Sequence, residues 1–179
     1  MKKFSTKGIV FLAMMTALSM VFARLISINV DPATLRLSLT NVPVILASLW
    51  FGPIAGAFVG FVSDFVGASV LSPYGWNPLL APTSIIMGLL PGLLKPLFLR
   101  NYGFIRLCGI TLITNAIGTI AYSTFALSQM SGLEYSYVLA IRLPAYILIA
   151  LVEAICIYYL TKSGLDRVLF AIPGRWWEK

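Results

Sequence analysis

The sequence predicts an all-α integral membrane protein: a compact six-transmembrane-helix bundle with both termini in the cytoplasm. Three observations lead there. The chain of 179 residues is 59% hydrophobic and only 11% charged, with a mean hydropathy of +0.92, too little charge to cover a soluble domain of this size. Its apolar residues fall into six segments joined by short polar or basic connections, the pattern of a chain that crosses a bilayer repeatedly. Its cations are also lopsided. With six helices, Lys2, Lys3, Lys7, Lys95, Arg100, Arg106, Lys162, Arg167, Arg175 and Lys179 share one side, and only Arg24, Arg36 and Arg142 fall toward the other. Cytoplasmic connections carry such an excess. Residues 1–179 are expected to form a single domain.

Composition also narrows the chemistry. The formal charge of +7 is spread over ends and connections rather than gathered on one face, so no nucleic-acid partner is expected. There is no histidine, and Cys108 and Cys156 lack a CxxC spacing. Neither a metal site, a disulfide nor a cofactor is indicated. No GxSxG, HExxH or P-loop occurs, so the chain is not expected to be an enzyme. If transport is driven by ATP, the nucleotide site must lie on another subunit.

The elements follow in order. A basic lead, MKKFSTK, precedes a helix over 8–28, which lacks a convincing cleavage site and reads as retained rather than as a signal peptide. Within it Ala13 and Ala17 lie one turn apart. Small residues so spaced serve either close packing inside the bundle or docking of another membrane protein. The connection 29–36 turns at Asp31-Pro32, and a short helix, 37–51, begins with Thr40, Asn41 and Pro43. Phe51-Gly52-Pro53 leaves almost no loop before the helix 53–71, because proline suits a first helical turn. Gly56, Gly60 and Gly67 there permit close backbone approach.

A polar-aromatic turn, Ser72-Pro-Tyr-Gly-Trp-Asn-Pro78, leads into a helix over 82–98, where Pro91-Gly92 predicts a kink or break. A basic link, 99–106, precedes a helix over 107–127 whose middle is polar (Thr111, Thr114, Asn115, Thr119, Ser123). A loop over 128–135 leads to the last helix, 136–161. This carries Arg142-Leu-Pro144 near its start and, further in, Glu153, which is expected nearer the cytoplasmic half in a structural or interfacial role. The tail 162–179 is basic and partly amphipathic.

Candidate binding residues follow from cost. Asp64 sits about 16 Å into its helix, where a carboxylate needs a donor or a proton. Asn115 is one structural partner for it, and the donor edge of a ligand is the alternative. Arg24, Arg36 and Arg142 each either snorkel to the outer headgroups or meet an anion, for which arginine is well shaped. Tyr74 and Trp76 are interface anchors or stacking surfaces for a ring. Asn77 either caps the next helix or bonds a solute, and Tyr122 and Tyr137 are weaker candidates of the same kind. Together they suit an anionic, partly planar solute.

Ala13-x-x-x-Ala17, the run Leu39-Thr-Asn-Val-Pro43…Leu49-Trp-Phe-Gly-Pro53…Gly56…Gly60…Asp64…Gly67, and Pro78…Thr83…Gly88-Leu-Leu-Pro-Gly92 carry a resemblance over essentially the whole chain. The sequence resembles the substrate-binding (S) components of energy-coupling factor (ECF) vitamin transporters. The early arginine-containing segment, the Asp64 segment and Arg142-Leu-Pro144 look most like the folate-specific members. The resemblance implies a six-helix cell-membrane protein that captures a vitamin from outside. It would work with a transmembrane coupling subunit and two ABC ATPase subunits, toppling in the bilayer to deliver its cargo. Ala13 and Ala17 would then contact the coupling subunit. Arg36 and Arg142 would meet folate carboxylates or the ring carbonyl. Asp64 or Asn77 would accept from the pterin, and Tyr74 and Trp76 would pack on its rings, with Asn115 and Tyr137 completing the set. Three alternatives stay open: an S component for pantothenate or another vitamin, a stand-alone proton-coupled carrier, and a structural subunit with no small-molecule site.

Overall fold

Glycine, proline and a change of hydrophobic period set where the helices begin and end. The computed structural model describes residues 6–25, 27–31, 35–71, 75–98 and 103–163. Helix α1 covers Thr6–Leu25, an antiparallel hairpin follows as β1 (Ser27–Asp31) and β2 (Leu35–Ser38), and α2 covers Asn41–Phe51. Then come α3 (Pro53–Leu71), α4 (Ala81–Phe98), α5 (Phe104–Ser131) and α6 (Tyr135–Lys162). The result is a helical bundle in which α3, α5 and α6 are each long and apolar enough to cross a membrane, with shorter apolar helices at 8–23 and 41–51. Cys108 and Cys156 are both free thiols.

The hairpin corrects the expected turn at 29–36. Ile28 and Val30, then Leu35 and Leu37, alternate with polar residues, and period two belongs to a strand. Ser27 pairs with Ser38, Ile28 with Leu37 and Asn29 with Arg36, with an irregularity between Asn29 and Asp31. Helix α1 therefore stops at Leu25 rather than 28, and α2 starts at Asn41 rather than 37. The other boundaries fall within a few residues of expectation. The Pro91 kink is not a break: α4 runs through both Pro91 and Pro96, and the amide of Gly92 is taken by Ser48 Oγ of α2 at 2.8 Å.

Helix α2 is the central element, with Val42 to Phe51 all buried. Its 11 residues span only about 16 Å, roughly half of the ~30 Å hydrocarbon core. The apolar core gathers around it from Met15, Ile45, Leu49, Trp50, Val59, Leu107 and Ile157, so the half of the bundle nearest Gly52 is solidly packed. There Gly52, at φ +97°, closes α2, and Lys95 Nζ donates to the Leu49 carbonyl at 2.7 Å, satisfying a helix-end acceptor.

Helices α3 and α4 form the most intimate pair. A Cβ added at Gly56 would overlap the carbonyl oxygen of Gly88, one at Gly60 that of Ser84, and one at Gly92 the backbone of Pro53. Backbone meets backbone along this seam, as small residues allow. Gly88→Leu should therefore lower the thermal midpoint of the detergent-purified protein by the equivalent of at least the 1–3 kcal/mol typical of overpacking, about. Gly103→Ala, where nothing lies within 4 Å, should leave it within about 0.5 kcal/mol. Equal midpoints for the two variants would contradict a close-packed seam.

Candidate functional site

The half of the bundle away from Gly52 is polar where the other is apolar, and its floor is a carboxylate. Glu153 of α6 is 0% exposed. Its Oε1 accepts from Asn41 Nδ2 at 2.9 Å and its Oε2 from Asn115 Nδ2 at 2.7 Å. One side chain thus ties the first residue of α2 to the middle of α5 and to α6. Around it, Ser19 Oγ of α1 donates to the Thr40 carbonyl at 3.0 Å, and the hydroxyls of Ser38 and Thr40 lie 2.8 Å apart. These bonds satisfy polar groups at the non-helical entry to α2. Strand β2 also packs against α6.

Above the floor, α5 loses its α-helical winding. Residues Ala116–Ser123 are π-helical, a form that recurs at functional sites. One turn earlier, side chains already bond back to the helix. Thr111 donates to the Leu107 and Cys108 carbonyls, Thr114 to Ile110 and Asn115 to Thr111, and such back-bonding competes with the helical amides. The polar middle of this helix all turns inward: Thr111, Thr114, Asn115, Thr119 and Ser123 are buried.

Arg142 lies about two turns into α6 and is 2% exposed, so it does not snorkel. Its Nη2 donates to Ser123 Oγ at 3.1 Å and to Tyr146 Oη at 3.2 Å, and the guanidinium carbon sits 4.9 Å from the Tyr146 ring centre. Nε and Nη1 have no hydrogen-bond partner. Two more buried polar atoms lack partners, Trp76 Nε1 and Thr83 Oγ1, and both belong to the α3–α4 turn and the first turn of α4. That turn is held against α5: Tyr122 Oη donates to the Leu79 carbonyl at 3.3 Å and Asn77 Nδ2 to Met130 Sδ at 3.4 Å. A buried polar atom without a partner is costly and calls for a reason.

The remaining candidates are placed as follows. Asp64 is half-buried and, by residue count, about 10 Å from the end of α3, the same depth as Arg142 in α6. Asn115 is committed to Glu153 rather than to Asp64, because the α5 face that carries it looks onto α6. Asn77 Oδ1 accepts the Leu79 amide at 2.9 Å, a turn contact ahead of α4 rather than a cap on its first residues. Trp76 meets the Phe65 ring edge-on at 5.1 Å. Tyr137 is 57% exposed at the start of α6. Ala13 and Ala17 are both exposed on the outside of α1, while Met15 and Ser19 face in. Tyr74 and the side chains of Arg24 and Arg36 lie outside the described residues. Among the described residues no group of metal-ligating side chains occurs.

Glu153, Ser123 and Tyr146 were not singled out as site residues. The tyrosine had a signal, since it lies one helical turn from Arg142. The importance of Glu153 depended on where the two asparagines fall.

A helical bundle with several helices long and apolar enough to cross a membrane, one of its halves apolar and the other rich in buried polar groups, is consistent with a multi-span membrane protein. A family profile described as the S component of an ECF-type riboflavin transporter matches residues 3–164. The chain belongs to this family of ECF-type S components, which are transport subunits rather than enzymes. The folate transporter FolT of Leuconostoc mesenteroides subsp. mesenteroides is 34% identical over 71 residues, 40% of this chain and 37% of that protein, so the match spans well under half of that relative. The fold is similar to the crystal structure of FolT bound with folic acid (TM-score 0.75, 24% identity, covering 88% of this chain and 93% of that one). It is also similar to the S component of a bacterial ECF transporter (0.68, 20%, 91% and 97%) and to an S component for biotin (0.64, 20%, 89% and 95%).

The floor makes its own prediction. Glu153→Leu strands the Asn41 and Asn115 amides, and about 1–3 kcal/mol should be lost for each donor left unsatisfied, read as a fall in thermal midpoint. Glu153→Gln retains an acceptor and should lose less than half as much. A leucine variant as stable as the parent would show that the clamp does not hold the floor.

Proposed function

We propose that this chain is a folate-binding S component. It captures the vitamin from outside and delivers it through a transmembrane coupling subunit driven by two ABC ATPases. The observation that carries the reading is the buried guanidinium of Arg142, which bonds only neutral hydroxyls and keeps Nε and Nη1 unmatched. An uncompensated cation at that depth asks for an anion. The unmatched Trp76 Nε1 and Thr83 Oγ1 add a donor and a hydroxyl beside an aromatic surface.

Folate joins a planar pterin to a dicarboxylate tail and presents both kinds of partner. Riboflavin is planar but uncharged, whereas biotin and pantothenate are anionic without an extended aromatic ring. In this reading Arg142 meets a carboxylate or the ring carbonyl, with Arg36 as a second cation. Asp64 accepts from the pterin, Tyr74 and Trp76 pack on its rings, and Asn77 and Tyr137 line the mouth. Asn115 supports from the floor. Six helices span the cell membrane with termini in the cytoplasm, which puts the polar half outside. Ala13 and Ala17 then form the face that docks on the coupling subunit.

Titration of the detergent-purified chain with folic acid, riboflavin, biotin and pantothenate, followed by tryptophan fluorescence, tests the ligand. Folic acid should bind most tightly, and Arg142→Gln should weaken it about 30-fold to 3,000-fold, the range for truncating one partner of a buried charge pair. Riboflavin retained where folic acid is not would overturn the assignment. Ala13→Leu with Ala17→Leu should abolish co-purification with the coupling subunit while leaving the dissociation constant unchanged. A doubly substituted chain that still assembles would place the docking face elsewhere.

A further inference from the structure

Arginine is a long side chain with many rotamers, so a guanidinium that must recognise an anion gains affinity when its orientation is settled before the ligand arrives. We infer that Ser123 and Tyr146 are positioning residues that aim Arg142 at the ligand, and that the π-helical turn of α5 exists to bring Ser123 within reach. The inference rests on the folate reading for its ligand and deepens it.

The geometry divides the guanidinium in two. Nη2 spends its hydrogens on Ser123 Oγ and Tyr146 Oη, and the Tyr146 ring lies against the guanidinium, an attraction of the cation–π kind. These contacts come from two elements: the last residue of the π segment and the next turn of α6. Because they engage a single nitrogen, Nε–H and both hydrogens of Nη1 remain for a third party. The oxygens that hold Nη2 are uncharged, so they fix direction without neutralising the cation.

The π turn accounts for Ser123. Each π turn holds more residues than an α turn, so the helix leaves residue 123 in a different phase from the one continuous α-winding would set. Just past the segment, Thr124 Oγ1 donates to the Thr119 carbonyl at 3.4 Å. Gly118 lies where a Cβ would crowd Met87 Sδ at 2.7 Å, so α5 approaches α4 closely as it changes winding. A polar line runs from Glu153 through Asn115 to Thr119, one turn of α5 before Ser123.

The test is a set of folic acid titrations on Ser123→Ala, Ser123→Thr and Tyr146→Phe, each repeated in an Arg142→Gln background, with thermal midpoints measured without ligand. Ser123→Ala and Tyr146→Phe should each weaken binding about tenfold, the size expected for a hydrogen bond to a charged group. Ser123→Thr, which keeps the hydroxyl, should recover most of the loss. In the Arg142→Gln background neither substitution should weaken binding further, and Ser163→Ala, beyond the end of α6, should change nothing. Parent-like affinity in both single variants, or an equal loss with and without Arg142, would overturn the inference while leaving the folate reading standing. An unmodified chain that does not bind folic acid would remove the folate reading and this inference with it.

Discussion

Hydrocarbon offers no hydrogen bonds, and α2, about 16 Å long, is too short to cross it. This constraint organises the molecule. A helix of 11 residues cannot reach both faces of a bilayer, so its first turn and the chain leading to it must find polar partners inside the protein. The Glu153 clamp, the Ser19 bond to Thr40 and the hairpin packed against α6 supply them. The polar side chains that supply these bonds therefore collect around the start of α2.

The two halves of the bundle therefore have different physics. Around Gly52 the packing is apolar and dense, and α3 and α4 meet through glycines with no side chain between them. At the other end, hydroxyls, amides and one arginine are buried together, and several of their atoms remain unmatched within the protein. Such atoms are expensive unless a partner arrives. The folate reading proposed above gives these atoms their partner.

Membership of the S-component family and identity of the cargo are separate questions here. The profile that matches most of the chain is described by riboflavin, while the relatives with local sequence or overall fold similarity are described by folate and biotin. A shared scaffold of this kind carries many ligands, and the choice among them is made by a few side chains rather than by the fold. In the folate reading proposed above, Arg142 bears most on that choice, because its Nε and Nη1 have no hydrogen-bond partner in the protein.

The sequence by itself determined the membrane class, the six apolar segments and the glycine seam. These depend on hydropathy, on charge placement and on the absence of a Cβ, all of which are local properties. It also marked Arg142 and Trp76, because an arginine in an apolar run and a tryptophan beside proline and glycine are conspicuous without any partner in view. The period-two alternation of 28–37 also marked the hairpin, but only the tertiary structure decided that Asn115 serves Glu153 rather than Asp64 and that α5 winds as a π-helix between Asn115 and Ser123. Each of those outcomes depends on which residue lies opposite across a helix interface. That is set by packing between segments far apart in the chain, and no local pattern encodes it.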